Sequence, residues 1–301
     1  MRNKLWILPL LLILFVFTAC GESEINTEKE IETAVQWVKE AAPAATVGSI
    51  GGDWAVKGIA ASGVEEEEIQ AYYTRYYDDV RAKVKASKGV LDDTYYTTYG
   101  RVIIGVTAIG ENPLDVEGYN LAEPLDHDEA VLQQGINAAA FALIGSNLAD
   151  TKLKNEETYI IYLKDYLEEN KLYEEPDMTD YVSMAMEGLS FYQDREDVAA
   201  VIEMCIDGLS DAQLADGSMG NCESTAEAII ALTMVGVDPV NDARFVKDGK
   251  SLLDGLLLYK GTKGYLHQTD DTEGNQAMST EKALLALDSV RLFNEGKKLY
   301  E

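Results

Sequence analysis

Ile229-Ile230-Ala231-Leu232-Thr233-Met234-Val235-Gly236 is the stretch whose reading decides the fold. It is apolar on nearly every side for two helical turns and then stops at a glycine. A helix that is apolar all round belongs in a protein interior. Related stretches recur along the chain. They are Val56-Lys57-Gly58-Ile59-Ala60-Ala61-Ser62-Gly63 and Ile103-Ile104-Gly105-Val106-Thr107-Ala108-Ile109-Gly110. Shorter copies are Phe141-Ala142-Leu143-Ile144-Gly145, Met186-Glu187-Gly188-Leu189 and Leu285-Ala286-Leu287. Each centres on a small residue followed by an aliphatic one. The small residues stand at 58, 105, 142, 188, 231 and 286, at intervals of 37 to 55 residues. Repetition on that scale marks helical hairpins.

Amphipathic segments lie between the apolar ones, at 27–42, 65–87, 124–132, 155–170, 195–209 and 242–259. Ile31, Val35 and Val38, or Phe245, Leu252, Leu253 and Leu256, keep helical spacing, and the remaining faces are acidic. Six buried helices alternating with six outer ones predict an all-α ring of hairpins, an α6/α6 toroid. An open solenoid of the same hairpins is the alternative. Gly58, Gly105 and Ala231 are expected to let neighbouring inner helices approach closely. Gly63, Gly110 and Gly236 are placed as C-caps. Asn112-Pro113 and Asp238-Pro239 then turn the chain. Ser224 and Thr225 with Glu227, and Ser279 and Thr280 with Glu281, are expected to cap the last two inner helices.

The start of the chain speaks for export. Arg2 and Lys4 precede an apolar run at 5–17, followed by Thr18-Ala19-Cys20. This is a secretory signal pattern, and the run is shorter than the roughly 20 residues of a membrane-spanning helix. Phe17-Thr18-Ala19-Cys20 resembles a bacterial lipobox, with Phe17 in place of the usual Leu. The resemblance implies that Cys20 becomes the first mature residue and carries acyl chains. Two or more chains suffice for stable anchoring, where one is marginal. The expected organisation is a lipoprotein signal peptide at 1–19, a lipidated tether at 20–28 and one helical domain at 29–301. The location is then the extracytoplasmic face of the cell membrane.

The formal charge is -28, and losing Arg2 and Lys4 takes it to -30. Phosphate contacts need clustered Lys and Arg, so nucleic acid is excluded as a partner, and so is lying flat on anionic lipid. The chain is 47% hydrophobic, enough to bury a core beneath an acidic exterior. Cys205 and Cys222 suit either a disulfide, which an oxidising exterior permits, or two packed thiols.

Gln213-Leu214-Ala215-Asp216-Gly217-Ser218-Met219 resembles the Q-x-x-D-G-G-aromatic turn of prenyltransferase and squalene-cyclase repeats, with Ser218 and Met219 as departures. Glu223-Ser224-Thr225-Ala226-Glu227-Ala228, Arg244-Phe245-Val246-Lys247-Asp248-Gly249 and Met278-Ser279-Thr280-Glu281-Lys282-Ala283 continue the likeness, which covers about residues 30 to 299. The resemblance is to bacterial surface proteins with a prenyltransferase-like, terpenoid-cyclase-like toroid, and it implies a central cavity without fixing an activity.

The enzyme motifs of that superfamily are incomplete here. Its zinc enzymes use Asp-x-Cys at one inner helix and His at the next. Cys222 occupies the Cys place, but Gly220 stands where the Asp belongs, and Met278 and Ser279 stand near the His place. Gln268-Thr269-Asp270-Asp271 lacks the first Asp of the cyclase motif D-x-D-D. Asp78-Asp79, Asp92-Asp93 and Asp270-Asp271 lack the last Asp of D-D-x-x-D. Asp126-His127-Asp128 suits either a general base or a loop. The tyrosines at 72, 73, 76, 77, 95, 96 and 99 suit either a cleft or the packing between layers. Asp53, Trp54, Tyr99, Glu223, Asp270 and Asp271 are the residues offered to a ligand at the cavity. No catalytic residue, metal ligand or cofactor is assigned.

The expected function is binding of a small molecule or protein partner, without catalysis, by a module anchored through Cys20. The alternative is an enzyme, either a terpenoid-like cyclase or a polysaccharide-cleaving toroid. Cys20→Ser should abolish incorporation of labelled fatty acid in cells. Equal labelling of parent and variant would refute the anchor.

Overall fold

A computed structural model describes residues 25–65, 67–272 and 276–301. The signal segment and Cys20 lie outside these residues. The described chain is all-helical. Its α-helices are α1 (Thr27–Ala41), α2 (Asp53–Ala61), α3 (Glu67–Ala86), α4 (Thr97–Ala108), α5 (Asp128–Leu132), α6 (Ile136–Leu148), α7 (Glu156–Asn170), α8 (Thr179–Leu189), α9 (Glu196–Ala212), α10 (Cys222–Met234), α11 (Leu252–Leu257) and α12 (Gln276–Asn294). Among the described residues β-pairing is limited to isolated bridges. No described helix is long and apolar enough to cross a membrane. The first helix begins at Thr27, inside the segment read as tether.

The even-numbered helices carry the six small-residue anchors, and they are the buried set. Every residue of α10 is buried, as are ten residues of α6. The odd-numbered helices bury one stripe each, such as Tyr159, Ile160, Leu163 and Leu167 on α7. Neighbour contacts run α2 to α4, α6, α8, α10 and α12, and α12 returns to α2. The even helices therefore form a closed circuit, with α1 packed on α12, α7 on α6, α9 on α8 and α11 on α10.

They also run parallel. Near their starts, Asp53 meets Arg101 and Glu223 meets Ser279. Near their ends, the Thr233 and Ser289 hydroxyls lie 2.7 Å apart and Arg291 donates to the carbonyl of Ala61. Each odd helix thus returns the chain to the end where the next even helix begins.

Small residues set the spacing, though not always as the sequence suggests. A Cβ on Gly58 would stand 2.9 Å from Leu284 of α12, and one on Gly188 would stand 2.9 Å from the Ala140 backbone of α6. Gly105 serves a different contact. A Cβ there would lie 2.6 Å from the Tyr76 hydroxyl, so Gly105 admits a tyrosine from α3 rather than a neighbouring even helix.

The expected caps are also corrected. Asn221 caps α10 by accepting from the Ser224 amide at 2.8 Å. Helix α12 begins before Ser279 and Thr280, and both hydroxyls face neighbours: Ser279 donates to Glu223, and Thr280 accepts from the Tyr265 amide. The turn at 213–219 is structural. Gln213 donates to the carbonyls of Gly217 and Phe245, both at 3.0 Å, which ties the end of α9 to the segment ahead of α11. Asp238 closes the turn after α10 by accepting from Val240 and Asn241.

Gly105→Leu should destabilise the fold by about 1–3 kcal/mol, because the new side chain must displace the buried Tyr76. Urea denaturation followed by circular dichroism checks this. An unchanged midpoint would show that Tyr76 does not depend on that space.

Candidate functional site

The first turns of the even helices bring charge to one end of the circuit. Asp53 opens α2 and is wholly buried. It accepts from the Tyr76 hydroxyl at 2.8 Å and the Gly48 amide at 3.4 Å, and Arg101 lies 3.3 Å away. Burial nevertheless pushes its carboxyl up to about 6, against the pull of Arg101, Tyr76 and Gly48. Glu281 accepts from the Gly51 amide at 2.8 Å, and burial raises it to about 7. The two carboxylates hold the glycine-rich approach to α2 from either side.

Trp54 follows Asp53 and packs edge-on against Phe141 with ring centres 5.2 Å apart. The Lys282 ammonium stands 4.3 Å over the Trp54 ring and 2.5 Å from Glu227. Burial alone would lower the Lys282 pKa, but Glu227 and Glu187 outweigh it and hold the ammonium above its ordinary range.

Glu187, on α8, is only 1% exposed. Burial first, then Glu227, pushes its carboxyl well above the usual carboxylate range. It is hydrogen bonded to Tyr300 and to Glu227, the latter a contact between two carboxyl groups that needs one of them protonated. Asp180 in the first turn of α8 is hydrogen bonded to Ser224, and one of its oxygens has no hydrogen-bond partner among the described residues.

Further along the axis, Lys57 of α2 donates to the Leu299 carbonyl at 2.7 Å and lies over the Tyr300 ring. Leu299 and Tyr300, both 2% exposed, therefore reach from α2 to α8, which stand opposite each other in the circuit.

Glu223 anchors a second constellation. One of its oxygens lies 2.6 Å from His267 Nδ1, and the other accepts from Ser279 at 2.6 Å. The His267 side chain is half exposed. The Cys222 amide donates to the His267 carbonyl. Cys222 and Cys205 are buried free thiols, and burial pushes the Cys222 thiol well above its ordinary value. Among the described residues no three His, Cys, Asp or Glu side chains are placed to hold a metal ion.

Three of the residues offered from sequence, Asp53, Trp54 and Glu223, thus lie at the charged end. The other three do not join them. Tyr99 is buried, and its hydroxyl accepts from the Leu91 amide, fixing the α3–α4 connection. Asp270 is exposed on the loop before α12, and Asp271 caps that loop by accepting from Gln268. His127 is exposed, while Asp126 beside it is bound to Lys154. Tyr72 and Tyr76 are packing residues, whereas Tyr95 is exposed.

Sequence reasoning missed Glu187, Glu227, Lys282, Asp180, Arg101 and Tyr300. The signal was present for two of them: Glu187 and Glu227 interrupt segments read as fully buried, and a buried charge requires a partner. No protein-family profile and no curated protein matches the chain.

The pH dependence of stability follows from the buried acids. Asp53 and Glu281 hold their protons more tightly folded than unfolded. Their contribution is fully present below about pH 4, and is lost as the pH rises through about 6 and then about 7. The melting temperature should fall between pH 5 and pH 8. Asp53→Asn combined with Glu281→Gln should remove part of that fall in calorimetric melts. An identical slope in the double variant would refute the assignment.

Proposed function

We propose that the twelve helices build an α6/α6 toroid of six hairpins, and that the chain is a lipid-anchored extracytoplasmic binding module of the prenyltransferase-like type. The closed circuit of parallel even helices with odd helices packed outside it supports the toroid over an open solenoid, in which the last helix would have no contact with the first. The Arg2–Cys20 pattern supports export and acylation.

One observation carries the binding reading. The axis of the circuit is occupied by Leu299, Tyr300 and paired charges instead of an apolar hollow. A terpenoid substrate needs apolar walls, and the zinc enzymes of that superfamily use an Asp-x-Cys pair with a Cys thiolate. Cys222 is buried with its thiol held protonated, and Gly220 stands at the Asp place, so that pair is not supplied. Recognition is then left to the end where the even helices begin, with Asp180, Glu223, His267 and the residues around them. A protein scaffold fits this arrangement better than a cyclase.

The Glu223–His267 pair favours a second reading, an enzyme that moves a proton at this end. A carboxylate holding one imidazole nitrogen leaves the other free to act as a base. Asp53 cannot serve as the matching acid, because it is buried and held by Tyr76 and Arg101.

The purified mature domain should yield no hydrocarbon from geranyl or farnesyl diphosphate and retain no zinc after dialysis. Stoichiometric zinc, or a metal-dependent product, would overturn the non-catalytic reading.

A further inference from the structure

We infer that Lys282 and Glu227 are poised to close an intramolecular amide bond, which joins α12 to α10 covalently with the help of Glu187. The structure holds the pair as it stands before that bond forms.

Three observations single out this lysine. Its Nζ lies 2.5 Å from Glu227 Oε1, so the amine already rests against the carboxyl group it would attack. Both side chains are withdrawn from water, at 12% and 5% exposure, and the Trp54 ring covers the ammonium on one side. Glu187, buried on α8, is hydrogen bonded to the Glu227 carboxyl, a contact that needs a proton on one of the two. A nucleophile, an electrophile and a proton-bearing group thus meet where water is excluded. Holding reactants in contact removes much of the entropic barrier to joining them. Other lysines lack this combination. Lys83 meets Asp79 at 2.7 Å, but that pair is open to solvent. Lys57 is buried, but its Nζ donates to the Leu299 carbonyl, and the Asp288 carboxyl that acts on its charge has no hydrogen-bond partner among the described residues.

The step balances without an oxidant or a cofactor. Burial favours the free amine of Lys282, but Glu227 and Glu187 hold the ammonium above its ordinary range, so the amine arises inside the pair and not by loss of a proton to solvent. The proton passes from Nζ to Glu227 Oε1, which leaves a neutral amine beside a neutral acid and removes two charges that are costly to keep out of water. The Nζ lone pair, on a desolvated lysine, attacks Glu227 Cδ, and the Nζ–Cδ bond forms. Glu187, bonded to the same carboxyl group, donates to the oxygen on which negative charge develops. It takes one proton from Nζ and returns one to the departing hydroxyl. The Cδ–OH bond breaks, one water leaves, and Glu187 ends as it began.

The product suits its surroundings. Helix α12 closes the circuit against α2, so a bond from α12 to α10 locks that closure. Cys205 and Cys222 are free thiols, so no disulfide between them performs this task.

The test weighs the purified mature domain by mass spectrometry under denaturing conditions, with Cys20→Ser present so that no acyl chain adds mass. The protein should be lighter than its sequence by one water, and proteolysis should release a branched peptide joining Lys282 to Glu227. Lys282→Arg keeps the charge but removes the nucleophile, and should restore the full mass. Glu227→Gln should lose one ammonia in place of one water. Glu187→Gln, shown to be folded by circular dichroism, should slow bond closure at least tenfold. Full sequence mass in the parent after prolonged incubation at neutral pH would overturn the inference. So would a loss of water that persists in Lys282→Arg, because the dehydration would then lie elsewhere in the chain. Closure at an unchanged rate in Glu187→Gln would overturn the part given to Glu187.

Discussion

The ion pair between Lys282 and Glu227 is the constraint around which the middle of this molecule is arranged. It places an ammonium and a carboxylate 2.5 Å apart, both largely withdrawn from water, inside the circuit of even helices. Removing two charges from water costs several kcal/mol per ion, and their attraction repays this only with good geometry and further partners. Trp54 supplies one such partner through its ring face, and Phe141 holds Trp54 edge-on. Burial first, and then the nearby charge of Glu227, drive the Glu187 carboxyl toward the protonated form, and it shares a hydrogen bond with Tyr300. Tyr300 in turn fixes Leu299 within reach of Lys57. A chain of contacts starting from one lysine thus crosses the whole circuit. Breaking it by truncating Glu227 would leave a buried cation short of its counter-ion, a far larger disturbance than replacing the pair by apolar residues of equal volume.

Close packing makes that arrangement possible. Parallel helices approach where Gly58 faces Leu284 and Gly188 faces Ala140, with no room for another methyl group. Gly105 leaves space for the Tyr76 hydroxyl to pass inward and reach Asp53. The outer layer therefore contributes a hydrogen bond to the charged end as well as an apolar stripe. A serine at 279 and a threonine at 280 extend the same principle within α12, where each hydroxyl bonds to a neighbouring element.

These particulars explain what was legible in the sequence. The even helices were plain because the anchor stretches of α10 and α6 are apolar on nearly every side, a property each segment carries alone. The odd helices were plain because their stripes keep a regular period, and their ends fell within a few residues of the expected places except where α11 proved short. Pairings were not legible. Lys282 meets Glu227, Glu223 meets His267, and Arg101 meets Asp53 across large sequence separations, and nothing local to either partner names the other. Ser279-Thr280-Glu281 reads as a cap by its residue types, but types do not reveal that the helix has already begun. Tyr99 stands out by the spacing of the tyrosines and the acidic pair at 270 and 271 by a motif, yet Tyr99 and Asp271 bond to adjacent loop backbone and Asp270 is exposed.

The parallel sense of the even helices has an electrostatic consequence. Each α-helix carries a partial positive charge at its first turn, equivalent to about half an elementary charge, and neighbouring acids there gain roughly 0.3–1 kcal/mol. In an alternating bundle such fields cancel at both ends. Here six helix macrodipoles point the same way around one axis, and the returning odd helices, which oppose them, lie farther out. The field near the axis is thus polarised along its length. Asp53, Asp180 and Glu223 occupy first turns at its positive pole. The backbone itself offsets part of the repulsion that so many carboxylates in one place would otherwise impose.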